Sequence, residues 1–281
     1  MSLIAAEKKD EALIAEVDAL LPARDCFHLW WLGQSGFLLQ WNGKRVLFDP
    51  YLSDSLTIKY RDTDKPHTRM SELVVNPSLL KKISVVTSSH NHTDHLDADT
   101  LKPILHNNPS VRFIIPEANR DFVVNRIDCA RDFPFGMNDK QSVSFDGITF
   151  HGMPAKHNAI ERDDAGHCKY MGYVVEFGSY KIYHSGDTLW FDEMIDLLKP
   201  FQLDLAILPI NGNKPERRVA GNLDAREAAT LAKSIGAKMV IPCHYDMFTF
   251  NTADVNDFAL AAQKLNQPFT ILRGGGLFTN N

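Results

Sequence analysis

Residues 90–95 read His-Asn-His-Thr-Asp-His, and they come just after the apolar run Ile-Ser-Val-Val-Thr at 83–87. Three imidazoles and one carboxylate fall within six positions of a chain that has 11 histidines among its 281 residues. Imidazole nitrogen and carboxylate oxygen are donors that borderline divalent metal ions accept. Functional residues concentrate where a strand ends, so the cluster predicts a metal site in preference to a solvated loop that is merely rich in histidine.

The spacing within this cluster indicates two ions. Residues two positions apart in an extended segment point the same way, so His90 and His92 can bind one ion together. Asp94 and His95 follow as the chain turns and can reach a second ion close by. A single ion needs only three or four protein ligands, and this short stretch already supplies four.

Four further stretches, taken with the cluster, resemble the metallo-β-lactamase superfamily of hydrolases. They are Trp-Leu-Gly-Gln-Ser-Gly-Phe at 31–37, Val-Leu-Phe-Asp-Pro-Tyr-Leu at 46–52, Tyr-His-Ser-Gly-Asp-Thr at 183–188 and Ile-Pro-Cys-His-Tyr-Asp at 241–246. The first two look like the opening strands of the branch related to L-ascorbate-6-phosphate lactonase. The matches follow the family order along nearly the whole chain.

The resemblance implies an α+β fold, the four-layer αββα sandwich, with the metals at the edge where the two sheets meet. No Pro/Ser/Gly-rich linker or charge run divides the chain, which favours a single hydrolase domain over residues 1–281. An apolar stripe at helical spacing, ended by Pro22, predicts that residues 1–22 form an N-terminal helical extension.

The resemblance also implies a ligand set and a reaction. The first metal would take His90, His92 and His157, the second would take Asp94, His95 and His244, and Asp187 would bridge them. Such a set implies a metal-dependent hydrolase in which a metal-bridging hydroxide cleaves an ester, lactone or similar bond in a small molecule, phosphorylated or not. Asp94 is the candidate catalytic residue, because it can bind a metal and also orient the hydroxide.

Two rival functions and the identity of the metals stay open at this stage. A phosphodiesterase that acts on a lipid or nucleotide is the main alternative. A non-catalytic metal-binding scaffold is disfavoured, because all seven ligand positions are filled. Every ligand offers nitrogen or oxygen, so zinc is the default cofactor and manganese or iron also fit. The likeness to the ascorbate-phosphate lactonase favours manganese somewhat.

Five other residues are candidates for contacts behind the ligands or with the substrate. Asp49 ends a strand and can accept the second N–H of a ligand histidine, although a turn residue would look the same. His184 lies near the bridging aspartate but alternates away from it, so we expect a supporting role or none. Arg217 and Arg218 can bind phosphate or carboxylate or belong to a solvated loop. Tyr245 can line a pocket or pack in the core.

Composition limits the partners and the location. The formal net charge of −5 argues against general nucleic-acid binding, which depends on neutralising phosphates. No apolar stretch approaches the ~18 residues of a membrane span, and no apolar signal region is seen near the N-terminus. We therefore expect a cytoplasmic protein with a small-molecule substrate, and leave open whether it forms a homo-oligomer.

Hydrophobic patterning predicts strands alternating with a few helices. Strands are predicted at 27–32, 37–41, 45–48, 111–115, near 142–153, 171–177, 180–184, 205–209, 239–241 and near 269–273, and helices at about 97–106, 224–235 and 253–265. Asp224 and Glu227 have the spacing of a capping box. Residues 50–78 contain three prolines and no clear period, so we expect a long excursion over the active-site face.

Overall fold

Two packed mixed β-sheets form the centre of the structure. The computed structural model describes residues 2–20 and 24–280. The strands are β1 (Phe27–Gly33), β2 (Gly36–Trp41), β3 (Lys44–Phe48), β4 (Val85–Thr87), β5 (Arg112–Pro116), β6 (Phe135–Met137), β7 (Ser142–Phe145), β8 (Ile148–Pro154), β9 (Met171–Phe177), β10 (Tyr180–His184), β11 (Leu205–Pro209), β12 (Met239–Cys243) and β13 (Leu277–Asn280). One sheet has the order β13-β1-β2-β3-β4-β5-β6 and the other β12-β11-β10-β9-β8-β7.

Helices lie outside the sheets. They are α1 (Asp10–Ala19), α2 (Ser55–Lys59), α3 (Ala98–Asn107), α4 (Arg120–Ile127), α5 (Met194–Leu198), α6 (Ala225–Ser234) and α7 (Val255–Lys264). The predicted capping box at the start of α6 is confirmed, because the Asp224 side chain accepts from the Glu227 N–H and the Glu227 side chain accepts from the Asp224 N–H. Within the described ranges, no helix is both long and apolar enough to cross a membrane.

Strand periodicity explains the layering. Side chains alternate between the two faces of a strand, and in β1 both faces are buried. Leu29 and Trp31 point into an apolar cluster shared with the second sheet and α6. Trp30 and Leu32 point into a second cluster, which α1, α3 and α4 cover. The layers therefore run helix, sheet, sheet, helix, and the predicted four-layer αββα sandwich is confirmed.

The predicted helix over residues 1–22 is too long. Helix α1 begins only at Asp10 and ends at Ala19. Before it, Ile4 forms a bridge with Ser71, and its N–H donates to the Met70 carbonyl over 2.7 Å. Backbone groups of this segment form hydrogen bonds with residues of the excursion at 50–78 in place of helical hydrogen bonds. Residues 21 and 22, where the helix was predicted to stop, lie outside the described ranges.

The predicted C-terminal strand near 269–273 is also wrong. Phe269 makes only an isolated bridge with Val240. The chain then turns through Gly275, whose φ of +77° and close approach to the Lys8 carbonyl exclude a side chain. Strand β13 follows this turn and pairs antiparallel with β1. The elements α2, α5 and β6 were not predicted, because they span only three to five residues, too few to show a period. Helix α4 was not predicted either.

We expect the inter-sheet cluster to dominate stability. Leu39 of β2 is 1% exposed, whereas Leu260 of α7 is 55% exposed. Leu39→Ala should lower the free energy of unfolding by about 2–5 kcal/mol, because it removes a buried side chain and leaves a cavity. Leu260→Ala, the matched control, should change it by no more than about 0.5 kcal/mol. Urea denaturation followed by circular dichroism measures both, and equal effects would contradict the assigned core.

Candidate metal centre

Loops at one edge of the two sheets bring the seven predicted ligand side chains together. The loop after β4 carries His90, His92, Asp94 and His95, while the loops after β8, β10 and β12 carry His157, Asp187 and His244. Strands β8 and β10 run in the same direction because both pair antiparallel with β9. Parallel pairing through β11 gives β12 that direction too. Their carboxyl ends therefore meet at one edge.

Three overlapping groups of donor atoms form within this cluster. They are His90, His92 and His157; His90, His95 and Asp187; and Asp94, His95 and His244, with the donor atoms of each group within 4.8 Å of one another. All the donors are imidazole nitrogens or carboxylate oxygens, which is the ligand chemistry of zinc, manganese and iron sites.

The Asp187 carboxylate faces both ends of the cluster. Its Oδ2 lies 3.5 Å from Nε2 of His157. Its Oδ1 lies 3.3 Å from Nε2 of His95 and 3.3 Å from Nε2 of His244. The two oxygens of one carboxylate thus serve different histidines.

Several buried polar atoms of the cluster lack hydrogen-bond partners in the described part of the chain, which bears on whether metal ions fit there. Nε2 of His90, Nε2 of His95 and Oδ1 of Asp187 have no hydrogen-bond partner among the described residues. Leaving a buried polar atom unsatisfied costs about 1–3 kcal/mol. A divalent cation accepts a lone pair from each of these atoms, so the donor set fits metal ions.

Burial keeps three of the histidines neutral. It lowers the pKa of His90 well below its usual range, and it lowers the pKa of His92 to about 4 and also depresses that of His157. The Nδ1–H of His157 donates to the Gly221 carbonyl over 2.8 Å, which leaves Nε2 with its lone pair. Neutral imidazole is the form that binds metal.

The other two histidines, His95 and His244, and the two carboxylates stabilise one another's charged forms. Burial alone would raise the pKa of Asp94 and Asp187, but His95 and His244 hold both well below the usual range. Burial would likewise lower the pKa of His244, but the Asp187 and Asp94 carboxylates outweigh it and raise that pKa to about 9. A metal ion at His244 must replace this proton, so metal affinity should fall as the pH falls.

Asp49 holds the cluster from behind. It follows β3, and its Oδ2 accepts from Nδ1–H of His95 over 2.7 Å. Its Oδ1 accepts from Thr87 Oγ over 3.1 Å and from the Ser89 N–H over 3.0 Å, and Ser89 Oγ also donates to the carboxylate. The hydrogen bond from Nδ1 leaves Nε2 of His95 directed at Asp94 and Asp187. This is the geometry expected if Asp49 orients His95 as a metal ligand.

A glycine fixes the turn that presents Asp187. Gly186 has a φ of +57°, and a Cβ there would lie 2.5 Å from Cβ of Ser89 and 2.9 Å from the Met171 carbonyl oxygen. Only glycine lets this turn pack against the loop that carries the first histidines. The Ser-Gly-Asp-Thr sequence is therefore matched to a close approach between the two sheets.

The cluster opens into a cleft of about 670 Å³. Apart from Asp94 and Asp187, the charged side chains that line it in the described chain are all cations: Lys59, Lys65, Arg126 and Arg218. The rings that line it are Tyr60, His67, Phe122, Tyr170 and Phe248, together with cluster histidines. As predicted, the excursion at 50–78 lies over this face and supplies one wall.

Two of the candidate substrate residues, Arg217 and Tyr245, do not line the cleft, and for Tyr245 the structure shows core packing, which was the alternative. The guanidinium of Arg217 donates to the carbonyls of Asn211 over 2.7 Å and Thr252 over 2.9 Å, so it fastens two loops. Tyr245 is buried, its hydroxyl donates to the Leu272 carbonyl, and its ring stacks on Trp31. Thr252, Leu272 and Trp31 are distant along the chain from the residues that contact them, so the sequence could not show these contacts.

The positions of Arg218 and His184 agree better with what the sequence led us to expect. Arg218 lines the cleft and forms an exposed ion pair with Asp64. His184 is buried; its Nε2–H donates to the Ser35 carbonyl over 2.8 Å, and its ring stacks on Phe48 at 5.1 Å. It therefore supports the strands beneath the cluster and is not one of the grouped donors.

Several residues at the site were not among the candidates from the sequence, including the cleft cations Lys59, Lys65 and Arg126. Gln34 contacts the cluster directly, and His67 and Tyr170 line the cleft. Gln34 was quoted only as part of the stretch at 31–37, although a polar side chain between two predicted apolar strands was a usable signal. His67 and Tyr170 carried no such signal, because single residues in polar segments are common.

Comparison with known proteins identifies the class and then the family. A family model described as "Beta-lactamase superfamily domain" matches residues 44–245, in agreement with the fold and the histidine cluster. The chain is 30% identical over 253 residues to a UPF0173 metal-dependent hydrolase of Methanoregula boonei, covering 89% of this chain and 96% of that protein. The chain belongs to the UPF0173 metal-dependent hydrolase family of the metallo-β-lactamase superfamily.

Solved structures share the fold at lower identity. Igni18, a metallo hydrolase from Ignicoccus hospitalis, superposes with a TM-score of 0.67 at 20% identity, covering 91% of this chain and 99% of that one. The isothiocyanate hydrolase from Delia radicum gut bacteria gives a TM-score of 0.68 at 18% identity, covering 89% and 98%.

Asp49→Asn should weaken metal binding about 10–100-fold, the usual effect of removing a partner that orients a ligand. The amide keeps the size of the carboxylate but loses the charge that faces His95. Asp139→Asn is the matched control, because that buried carboxylate pairs with Arg162 instead. Competition with a metal-binding chromophore measures the affinity. An unchanged affinity in Asp49→Asn would show that the carboxylate does not support a metal ligand.

Proposed function

We propose that this chain is a dinuclear metal-dependent hydrolase. The first ion would be held by His90, His92 and His157, the second by Asp94, His95 and His244, and Asp187 would bridge them. The observation that carries the proposal is the division of the Asp187 carboxylate between His157 on one side and His95 and His244 on the other. One carboxylate shared in this way offsets the repulsion between two adjacent cations.

The bound ions would supply Lewis-acid polarisation of the scissile group and would lower the pKa of water to about 7, which makes hydroxide available at neutral pH. The protein supplies position and charge. Asp94 is partly exposed to the cleft, so its carboxylate can both bind a metal and accept a hydrogen bond from the attacking water. His157 and His95 are held in their tautomers by Gly221 and Asp49.

The lining of the cleft favours an anionic substrate. The chain carries a net charge of −5, yet four cationic side chains line the cleft beside the metal cluster. Lys65 and Arg218 lie on the same wall, where Lys65 Nζ donates to the Arg218 carbonyl over 2.6 Å. Cations with hydrogen-bond donors are the usual partners of phosphate and carboxylate. We therefore propose a small phosphorylated ester or lactone, in line with the likeness to the ascorbate-phosphate lactonase branch.

A phosphodiesterase is the second candidate, and the same cationic wall favours it. In a diester, the phosphate that the wall attracts is also the group that reacts. The isothiocyanate hydrolase of similar fold supplies a third, uncharged class for comparison. For the metals, nitrogen and oxygen donors throughout make zinc, manganese and iron the candidates.

A substrate panel tests the reaction class. We expect metal-reconstituted enzyme to hydrolyse phosphorylated lactones or esters with kcat/KM at least about tenfold above their unphosphorylated analogues, a preference of ~1.4 kcal/mol. Phosphodiesters, thioesters and isothiocyanates complete the panel. Chelation should abolish turnover, and Zn²⁺ or Mn²⁺ should restore it.

The outcomes of the panel separate the two parts of the proposal. If turnover persists after elemental analysis has verified that the metal is removed, the metal mechanism is contradicted. Equal turnover of charged and neutral analogues would overturn only the anionic substrate. Hydrolysis of phosphodiesters alone would select the second candidate.

Asp187→Ala should damage catalysis more than folding. It removes the carboxylate that the two proposed ion sites would share, so we expect less bound metal and turnover reduced on the order of 10²-fold or more. The flanking strands keep their apolar faces, so the melting temperature of the metal-free protein should change little. Asp204→Ala, a buried carboxylate that pairs with Lys238, is the control and should keep both metals. Near-normal turnover with two bound ions would mean that Asp187 is only a turn residue.

A further inference from the structure

Gln34 places a side-chain amide inside the proposed second metal site. Its terminal nitrogen, Nε2, lies 2.8 Å from Oδ2 of Asp94 and 3.1 Å from Nε2 of His244. Both residues belong to the donor group formed by Asp94, His95 and His244. The two terminal atoms of a carboxamide exchange places by a half-turn about the last torsion. The oxygen can therefore occupy the position that the nitrogen takes here.

We propose that Gln34 is a further protein ligand of the second metal ion, through Oε1. The inference rests on the proposed dinuclear function. Adjacent ligands of an ion bound at about 2.1 Å lie about 3.0–3.4 Å apart. The observed 2.8 and 3.1 Å fall near this range, as do the 3.3 Å between Nε2 of His244 and Oδ1 of Asp187 and the 3.5 Å between His244 and Asp94. The terminal atom of Gln34 thus sits at ligand-to-ligand spacing from two members of the set.

The backbone holds Gln34 in place at some cost. The residue has a φ of +52°, in the left-handed region that non-glycine residues seldom adopt. Its carbonyl accepts from Nε1–H of Trp31 over 3.0 Å and from the backbone N–H of His244 over 3.0 Å. The turn is therefore clamped to the same residue whose imidazole the side chain approaches. Strained backbone conformations of this kind cluster at functional sites, where they hold a side chain in a required position.

A ligand of this type has a consequence for the metal. With Gln34, the second site offers five protein donors, from Gln34, Asp94, His95, Asp187 and His244. Zinc in protein sites mostly takes four ligands in all, whereas a carbonyl oxygen suits manganese. The proposal therefore assigns Mn²⁺, in preference to Zn²⁺, to the second site.

The alternative role for the amide is donation of an N–H to Asp94, and two variants separate the roles. Gln34→Met has nearly the same size but no hard donor. Gln34→Glu keeps an oxygen and loses the N–H. If Gln34 is a ligand, Gln34→Met should raise the dissociation constant of the second Mn²⁺ about 10-fold or more, while Gln34→Glu should bind it at least as tightly as the wild type.

The measurement is titration of full-length, metal-free protein with Mn²⁺, reading free Mn²⁺ by electron paramagnetic resonance and bound metal by elemental analysis. Gln40→Met is the matched control, because Gln40 lies in the same hairpin, is 5% exposed and donates to the Val17 and Leu20 carbonyls. It should leave both binding steps unchanged. The first ion should bind with wild-type affinity in every variant.

Three outcomes would overturn the assignment. An unchanged second step in Gln34→Met removes Gln34 from the metal site while leaving the dinuclear function intact. A second step weakened as much in Gln34→Glu as in Gln34→Met shows that the amide acts as an N–H donor. A wild-type protein that binds fewer than two ions overturns the dinuclear function and this inference together. Should Gln34→Met fail to fold, the affinity of Gln34→Glu decides between ligand and donor.

Discussion

Charge compensation among buried ionisable side chains is the constraint on which the rest of the site depends. An isolated carboxylate away from water is very costly, yet Asp94 and Asp187 stay ionised beside His95 and His244. Without metal, protons on those histidines supply the positive charge. Divalent ions would supply it in their place. The same geometry is therefore stable only with cations at its centre, whether protons or metals.

The strand ends make this arrangement rigid. Gln34, Asp49 and His244 follow β1, β3 and β12, and all three have positive φ values, of 52°, 38° and 66°. Such conformations turn the chain sharply, so that a side chain at a strand end faces back to the edge where the sheets meet. They cost energy, and the apolar clusters on both faces of the first sheet hold them in place. Packing far from the cleft thus sets the direction of the donors inside it.

Charge is distributed unevenly, and this separates the cleft from the rest of the surface. A net charge of −5 repels a general polyanion such as nucleic acid, while the local set Lys59, Lys65, Arg126 and Arg218 attracts a small one. Arg126 also donates to the carbonyl of Asn91, within the histidine loop, and to that of Leu96, directly after it. One cation therefore both steadies the metal-binding loop and contributes to the field of the cleft.

The sequence by itself determined the fold class and the seven side chains that converge. Donor chemistry, the two-residue alternation of strands and the capping box at Asp224 are local properties, readable over a few positions. Tertiary structure alone decided which other residues reach the site. Gln34 contacts His244 across 210 positions of sequence. Arg217 donates to the carbonyl of Thr252, in the segment between β12 and α7. The C-terminal strand forms at 277–280, after the predicted 269–273, because it pairs with β1. Contacts of this kind arise only when distant strands pack together. They cannot be predicted from the sequence, because the neighbouring residues of a side chain that finds such a partner look the same as those of a side chain that faces solvent.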